Sequence, residues 1–150
     1  LEDLYDAEKR LTTALPKMVD AATSPELKTA LRDHEGETRA QINRLEGVFS
    51  RLQRTPTRET CEAMKGLIRE GEEMISARGD DAVRDAAIIA AAQRVEHYEI
   101  AAYGTARTFA QQLGWNEIAD ALQSILDEEV AADHKLTEIA ESRVNIAAAR

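Results

Sequence analysis

The sequence predicts an all-α protein that forms one domain over residues 1–150. Three observations lead to this prediction. The three prolines and seven glycines are few and scattered, which leaves long uninterrupted runs of good helix formers. Apolar residues recur at spacings of three and four, which is the period of an amphipathic helix. A length of 150 residues is that of one ordinary domain, large enough to bury a single hydrophobic core.

The first two long helices are predicted over residues 1–22 and from Pro25 to about residue 53. A helical stripe of apolar side chains runs along the first, made of Leu1, Leu4, Leu11, Leu15 and Met18. Ser24 followed by Pro25 marks the start of the second, because serine caps a helix N-terminus and proline fits the first helical position. So short a turn makes the two helices antiparallel neighbours.

A long connection follows, because Pro56 breaks the helical pattern. Within it a shorter helix is predicted from about Arg58 to Ala77. The third long helix is predicted over residues 82–112 and the fourth over residues 116–142, with a stop at Gly114 between them. Two antiparallel hairpins joined by one long crossover connection are the connectivity of a ferritin-like four-helix bundle.

Composition excludes several classes of partner. The formal net charge is -9, which repels a nucleic-acid backbone. No apolar run reaches the roughly 18 residues that span a bilayer, so we expect no membrane insertion. Cys61 is the only cysteine, which rules out an internal disulfide and fits a reducing compartment. We therefore expect a cytoplasmic protein.

Ionisable residues interrupt the apolar stripe of each long helix near its middle. Counted from the two turns, the carboxylates fall on one level of the bundle or within about one helical turn of it. We therefore expect them to meet in the interior. In chain order, the candidate site residues are Glu8, His34, Glu37, Glu96, Glu99, Glu129 and Asp133.

Buried carboxylates in such number require compensation for their lost hydration and mutual repulsion. Two divalent cations supply it, as in di-iron and di-manganese carboxylate bundles. Oxygen-rich ligands with an imidazole nitrogen suit iron or manganese. For His34 two readings remain open, a direct ligand or a group that supports the ligands. The sequence predicts a metal site with two Fe ions, or alternatively two Mn ions.

Several motifs resemble the bacterial YciE/YciF family, a ferritin-like group with an unsettled activity. The similar segments are LYDAEK at 4–9, His34 with Glu37 and Thr38, RDAAIIAAAQ at 84–93 and VEHYEIA at 95–101. The resemblance implies a homodimer, a dimetal site of rubrerythrin type and a role in bacterial stress responses. It places Glu96, Glu99 and Glu129 at the positions of ligands. Where the pattern has histidines this chain has Ala40 and Ala132, so His34 and Asp133 are the candidate substitutes.

These observations support one leading hypothesis on function and two alternatives. The leading one is a dimetal carboxylate protein, a possible oxidoreductase, that reacts with oxygen or peroxide under stress. The first alternative is a structural or interaction protein whose metal only stabilises the bundle. The second is iron storage, which requires a closed shell of many subunits.

Overall fold

A computed structural model describes residues 1–57 and 59–150. Within these residues the chain is helical and has no strand, so the predicted all-α class is confirmed. The helices are α1 (Glu2–Ala21), α2 (Pro25–Arg51), α3 (Glu62–Ser76), α4 (Asp81–Gln112), α5 (Asn116–Ile139) and α6 (Asn145–Ala148), with a π-helical segment (Ala140–Val144) between the last two.

The four long helices form two antiparallel hairpins, α1 with α2 and α4 with α5. Thr23, in the first turn, is hydrogen-bonded to Asp85 near the start of α4. Arg51, at the end of α2, is paired with Glu117 at the start of α5. The connection 52–80 therefore spans the length of the bundle, and its helix α3 packs on α4 and α1. This is the predicted ferritin-like bundle with a short helix in its crossover connection.

Local sequence explains where the helices begin and end. The Ser24 hydroxyl accepts a hydrogen bond from the backbone N–H of Leu27 at the start of α2, as expected for a serine cap. Asp80 caps α4 in the same way. Gly114 follows the end of α4 with a φ of +74°, a left-handed conformation that glycine adopts without strain.

Asp85 lies on α4 and accepts hydrogen bonds from the turn of the α1–α2 hairpin. Its buried carboxylate accepts hydrogen bonds from the backbone N–H groups of Thr23 and Ser24, at 2.8 and 2.7 Å, and from the Thr23 hydroxyl at 2.7 Å. These are donors that the turn between α1 and α2 leaves without helical partners. Asp85 therefore ties the start of α4 to the start of α2.

Two boundaries differ from the predictions. The predicted start of the connecting helix, Arg58, lies outside the described residues, and α3 begins at Glu62. The last long helix was predicted to end at Ser142, but its backbone passes through the π-helical segment and continues to Ala148. No helix among the described residues is both long and apolar enough to cross a membrane.

Two apolar clusters fill the bundle and are separated along its axis. One lies towards the α1–α2 turn and contains Leu15, Leu27 and Ile139. The other lies towards the α4–α5 turn and contains Leu45 and Ile118. The buried side chains between them are polar and form what we term the polar layer: Glu8, His34, Thr38, Gln41, Glu96, Glu99 and Glu129.

Candidate metal centre

The polar layer draws on all four long helices. Glu8 comes from α1, His34 from α2, Glu96 and Glu99 from α4, and Glu129 from α5. Each occupies a position of the apolar stripe, which directs its side chain inwards. The four glutamates are at most 1% exposed and His34 is 6% exposed. Ionisable side chains are almost never buried this completely without a partner, which indicates a functional centre.

Four of these residues converge closely enough to hold a metal ion. His34, Glu96, Glu99 and Glu129, which we term the His–Glu cluster, offer one ligand atom each within 4.8 Å of one another. The Nε2 atom of His34 lies 3.3 Å from Oε1 of Glu96 and 3.8 Å from Oε2 of Glu129. Three carboxylates and an imidazole suit iron, manganese or zinc by ligand type.

Glu8 adjoins the cluster and is oriented by Tyr103. The Tyr103 hydroxyl donates a hydrogen bond to Oε1 of Glu8, and both side chains are fully buried. This bond leaves Oε2 of Glu8 without a hydrogen-bonding partner. Tyr103 thus fixes the rotamer of Glu8 and leaves one carboxylate oxygen available to a cation.

Gln41, on α2, orients Glu129, on α5. Its Nε2 atom donates to Oε1 of Glu129 at 2.5 Å and to Oε2 of Glu128 at 3.0 Å. Arg44 in turn donates to the same oxygen of Glu128 at 2.5 Å. The partly buried network of Gln41, Glu128 and Arg44 therefore supports Glu129, as outer hydrogen-bonding partners commonly do for metal ligands.

Glu37 and Asp133 lie outside the His–Glu cluster. The Glu37 side chain is 48% exposed, and its Oε2 atom is 3.4 Å from Nδ1 of His34. Asp133 accepts a hydrogen bond from Gln93 at 2.9 Å and lies 3.3 Å from Nε2 of His97. Their roles as metal ligands stay predictions, and Glu37 contacts the cluster only through His34.

Buried atoms without partners test whether the layer fits a metal. Among the described residues, seven atoms of the layer are buried without a hydrogen-bonding partner: Oε2 of Glu8, Nε2 of His34, Oε1 of Gln41, Oε2 of Glu96, both oxygens of Glu99 and Oε2 of Glu129. Each such atom costs about 1–3 kcal/mol if it stays unpaired. Their concentration in one layer fits coordination of cations by these atoms.

The electrostatics of the layer favour protons or metal ions in it. Burial raises the pKa of Glu8 to about 7, against the hydrogen bond from Tyr103. Burial and the charge of Glu96 raise the pKa of Glu129 to about 10, although His34 opposes this. Burial also raises the pKa of Glu99 well above its ordinary range, as do the charges of its neighbouring glutamates.

The pKa of His34 is also raised, but for His34 burial acts in the opposite direction. Burial alone would lower its pKa, but the charge of Glu96 and the contact with Glu37 raise it well above its ordinary value. Without metal, the layer therefore retains protons at neutral pH. Divalent cations would displace these protons and bind the carboxylates in their charged form.

Sequence reasoning missed the outer network around Gln41. Glu128 belongs to the acidic run 127–129, which is typical of a solvated helix face, and Arg44 carried no signal of its own. In the structure, Arg44 and Gln41 are one helical turn apart on α2, and both donate to Glu128. That i, i+3 spacing of a core amide and an arginine, opposite an acidic pair, was the available clue.

Comparison with known proteins covers nearly the whole chain. A family described as a domain of unknown function, DUF892, matches residues 1–149. Protein YciF of Escherichia coli (strain K12) is 48% identical over 146 residues, which cover 97% of this chain and 88% of YciF.

Solved structures show the same relationship. The crystal structure of the E. coli stress protein YciF matches with a TM-score of 0.92 at 47% identity, covering 96% of this chain and 91% of that chain. YcfI from Rhodopseudomonas palustris, described as a candidate structural protein, matches with a TM-score of 0.88 at 46% identity, covering 91% and 87% of the two chains. Backbone and sequence therefore agree with the resemblance that the motifs indicated. The chain belongs to the DUF892 family, together with the YciF-like proteins that its motifs predicted.

Proposed function

We propose that this protein binds two iron ions in its polar layer and uses them to react with oxygen or peroxide during stress. Glu8, His34, Glu96, Glu99 and Glu129 would hold the ions. The observation that carries the proposal is the set of buried, unpartnered ligand atoms on these five residues. The similarity to a protein described as a stress protein supports the physiological setting.

Charge balance supports two ions rather than one. The four glutamates of the layer carry four negative charges when ionised, and His34 is neutral as a ligand. Two divalent cations neutralise this charge, whereas one would balance only two carboxylates and require the other two to keep protons. Oxygen-rich ligation suits iron and manganese alike, and manganese is the alternative metal.

The residues of this chain position the ligands. Tyr103 orients Glu8 and Gln41 orients Glu129, so two ligands are held before a metal arrives. The apolar clusters above and below the layer enclose it along the bundle axis. Iron bound in such a layer supplies the electrons that reduce oxygen or peroxide.

The proposal is tested by metal analysis of protein purified without chelator, followed by peroxide addition to iron-loaded and manganese-loaded samples. We expect about two metal ions per chain and peroxide consumption by the active form. Glu99→Gln and Glu129→Gln should each lose at least one ion, because an amide is a weaker ligand than a carboxylate. Glu70→Gln, at an exposed position of α3, is the control and should keep both. Retention of two ions by both cluster variants would contradict the assignment.

The same samples separate the second candidate function. One similar structure is described as a candidate structural protein, which favours a bundle whose metal stabilises the fold only. Bound metal that raises the melting temperature without consuming oxygen or peroxide would support this alternative. The homodimer implied by the resemblance belongs to both proposals, and sedimentation of the purified protein tests it.

A further inference from the structure

A cavity between α2 and α5 leads from the protein surface to the metal centre. Its volume is about 640 Å³, and His34 and Glu96 of the His–Glu cluster line its inner end. Apolar residues form much of its wall: Ala30, Leu31, Ala131, Ala132, Leu136 and Ile139. The cavity thus joins an apolar chamber to two of the proposed ligands.

Small side chains keep this space open. Ala30 lies one helical turn before His34 on α2, and Ala132 lies about one turn after Glu129 on α5. Larger side chains at these positions would fill the chamber from its two sides. The cavity is within the range of about 300–1,000 Å³ that is usual for small-molecule sites, and many times the roughly 30 Å³ that one water occupies. Hydrogen peroxide alone would need no chamber of this size.

The charges at the outer end favour an uncharged ligand. Arg143 is paired with Glu26 at 2.6 Å, and Lys135 with Glu138 at 3.2 Å, so both bases are already neutralised. Two further acidic residues, Asp33 and Glu37, also line the cavity. An anion would meet more acidic than basic groups on its way in, and would be repelled.

We propose that the cavity binds an uncharged organic hydroperoxide, ROOH, whose apolar group R fills the chamber and whose peroxide oxygens reach the end at His34 and Glu96. This inference rests on the proposed function, since the electrons come from the oxidation of two ferrous ions to ferric ions. The reaction takes up two electrons and two protons, breaks the O–O bond and yields the alcohol ROH and water.

Two measurements test the inference. Cumene hydroperoxide and hydrogen peroxide are compared in single-turnover experiments as oxidants of the diferrous protein, at one equivalent of peroxide per iron pair. Cumyl alcohol, the unreactive product, is titrated into metal-free protein by calorimetry, so that binding is measured without turnover. The variants are Ala30→Leu and Ala132→Leu, which fill the chamber from opposite walls. Ala121→Leu is the matched control, a half-buried alanine of α5 away from the cavity.

In the wild type we expect binding of cumyl alcohol and consumption of both peroxides. Each cavity variant should abolish that binding and lower the second-order rate constant for oxidation of the diferrous protein by cumene hydroperoxide by at least about tenfold, while the rate constant for hydrogen peroxide stays within about twofold. Metal content should be unchanged, and Ala121→Leu should behave as the wild type. Agreement between the two cavity variants shows that the effect comes from the filled space and not from a folding defect of one variant.

Other results would overturn the inference. Hydrogen peroxide consumption without any binding of cumyl alcohol would refute the cavity assignment and leave the proposed function intact. Equal loss of both peroxide activities in the variants, or no loss of either, would also refute it. Binding of cumyl alcohol that the variants abolish, with neither peroxide consumed, would refute the proposed function and the hydroperoxide assignment together, while the cavity would stand as an apolar site.

Discussion

At the scale of single residues, the charge state of the polar layer depends on what occupies it. In the metal-free protein, Glu8, Glu99, Glu129 and His34 all have a pKa above the value expected in the unfolded chain. The folded state therefore binds more protons than the unfolded state. Linkage then requires the stability of the metal-free protein to fall as pH rises through these pKa values.

The first prediction follows from this fall in stability with rising pH. Between about pH 5 and pH 9, the melting temperature of metal-free protein should fall, because the unfolded glutamates and histidine have released their protons while the folded ones resist doing so. The window includes the pKa of about 7 for Glu8 and approaches the value of about 10 for Glu129. Scanning calorimetry on chelator-treated protein measures the dependence. Glu99→Gln should show a shallower fall, since its amide does not titrate; a melting temperature that rises with pH would contradict the prediction.

Whether a predicted site residue lies in the polar layer depends on its angle about the helix axis as well as on its height along the bundle. Counting residues from the turns placed the carboxylates at the right height, and the structure gathers Glu8, Glu96, Glu99 and Glu129 in one layer. On α2, Gln41 lies about 20° around the helix axis from His34, whereas Glu37 lies about 60° away. The first direction leads inwards and the second leads to the surface. Height along the bundle alone does not reveal this difference. The only hint in the sequence is that Glu37 lies beside the stripe formed by positions 34, 38 and 41.

Asp133 shows a second limit at this scale. It lies about 40° around α5 from Glu129, which aims it at the α4 side chains Gln93 and His97. The Asp133 carboxylate therefore contacts the amide of Gln93 and the imidazole of His97. Sequence alone cannot rank these partners above a metal ion, because the choice depends on how closely α4 and α5 approach.

At the scale of elements, the helix starts and stops were predictable because short-range chemistry sets them. Ser24 with Pro25, Asp80 and Gly114 mark boundaries that the structure confirms within a few residues. The π-helical segment after Ile139 was not predictable, since no proline or glycine lies in Ala140–Val144. The segment packs on α4, a contact between residues distant in the sequence.

The second prediction concerns the start of α2. Asp85→Ala should lower the free energy of unfolding by about 2–4 kcal/mol, because it removes the buried, charged acceptor of three hydrogen bonds from Thr23 and Ser24. Urea denaturation measures the change. Asp80→Ala removes an exposed cap of α4 and serves as the comparison, with an expected loss of about 1 kcal/mol. Equal losses for the two variants would show that Asp85 acts only as an ordinary cap.

The third prediction concerns the glycines of α3. A Cβ added at Gly66 would meet nothing within 4 Å, and one at Gly71 would lie 3.5 Å from Cε of Met18, an ordinary contact. Gly66→Ala and Gly71→Ala should each stabilise the protein by about 0.5–1 kcal/mol through helix propensity. Gly114→Ala should destabilise it, because its φ of +74° strains an alanine. Chemical denaturation of the three variants checks both signs, and a loss at Gly66 would contradict the account.

At the scale of the whole molecule, the proposed metal pair would connect all four long helices but not α3. The residues proposed as ligands lie on α1, α2, α4 and α5, while α3 packs on the outside of α4 and α1. Metal loading should therefore couple the two hairpins to each other more strongly than it couples either to the connection. This distinction between four helices and the fifth was available from sequence, because the connecting helix carries none of the predicted ligands.

The fourth prediction tests this coupling by amide hydrogen exchange. On loading with iron or manganese, protection should increase around Glu8, His34, Glu96 and Glu129, in the middle of each long helix, while α3 changes little. Chelator-treated protein is the reference state, and magnesium at the same concentration controls for ionic strength. Protection confined to one hairpin, or an equal increase in α3, would mean that the metal does not join the four helices.

The bond between Asp85 and Thr23 also has a consequence for synthesis on the ribosome. Asp85 follows Arg51, the end of α2, by 85 − 51 = 34 residues, so the first hairpin is complete before its turn can receive the carboxylate. At about 5–20 residues per second, these residues correspond to a delay of roughly 2–7 s. During that interval the nascent α1–α2 hairpin exposes its apolar stripe, and the backbone N–H groups of its turn lack their acceptor, Asp85. The α1–α2 hairpin is therefore a segment on which we expect chaperones to act during synthesis.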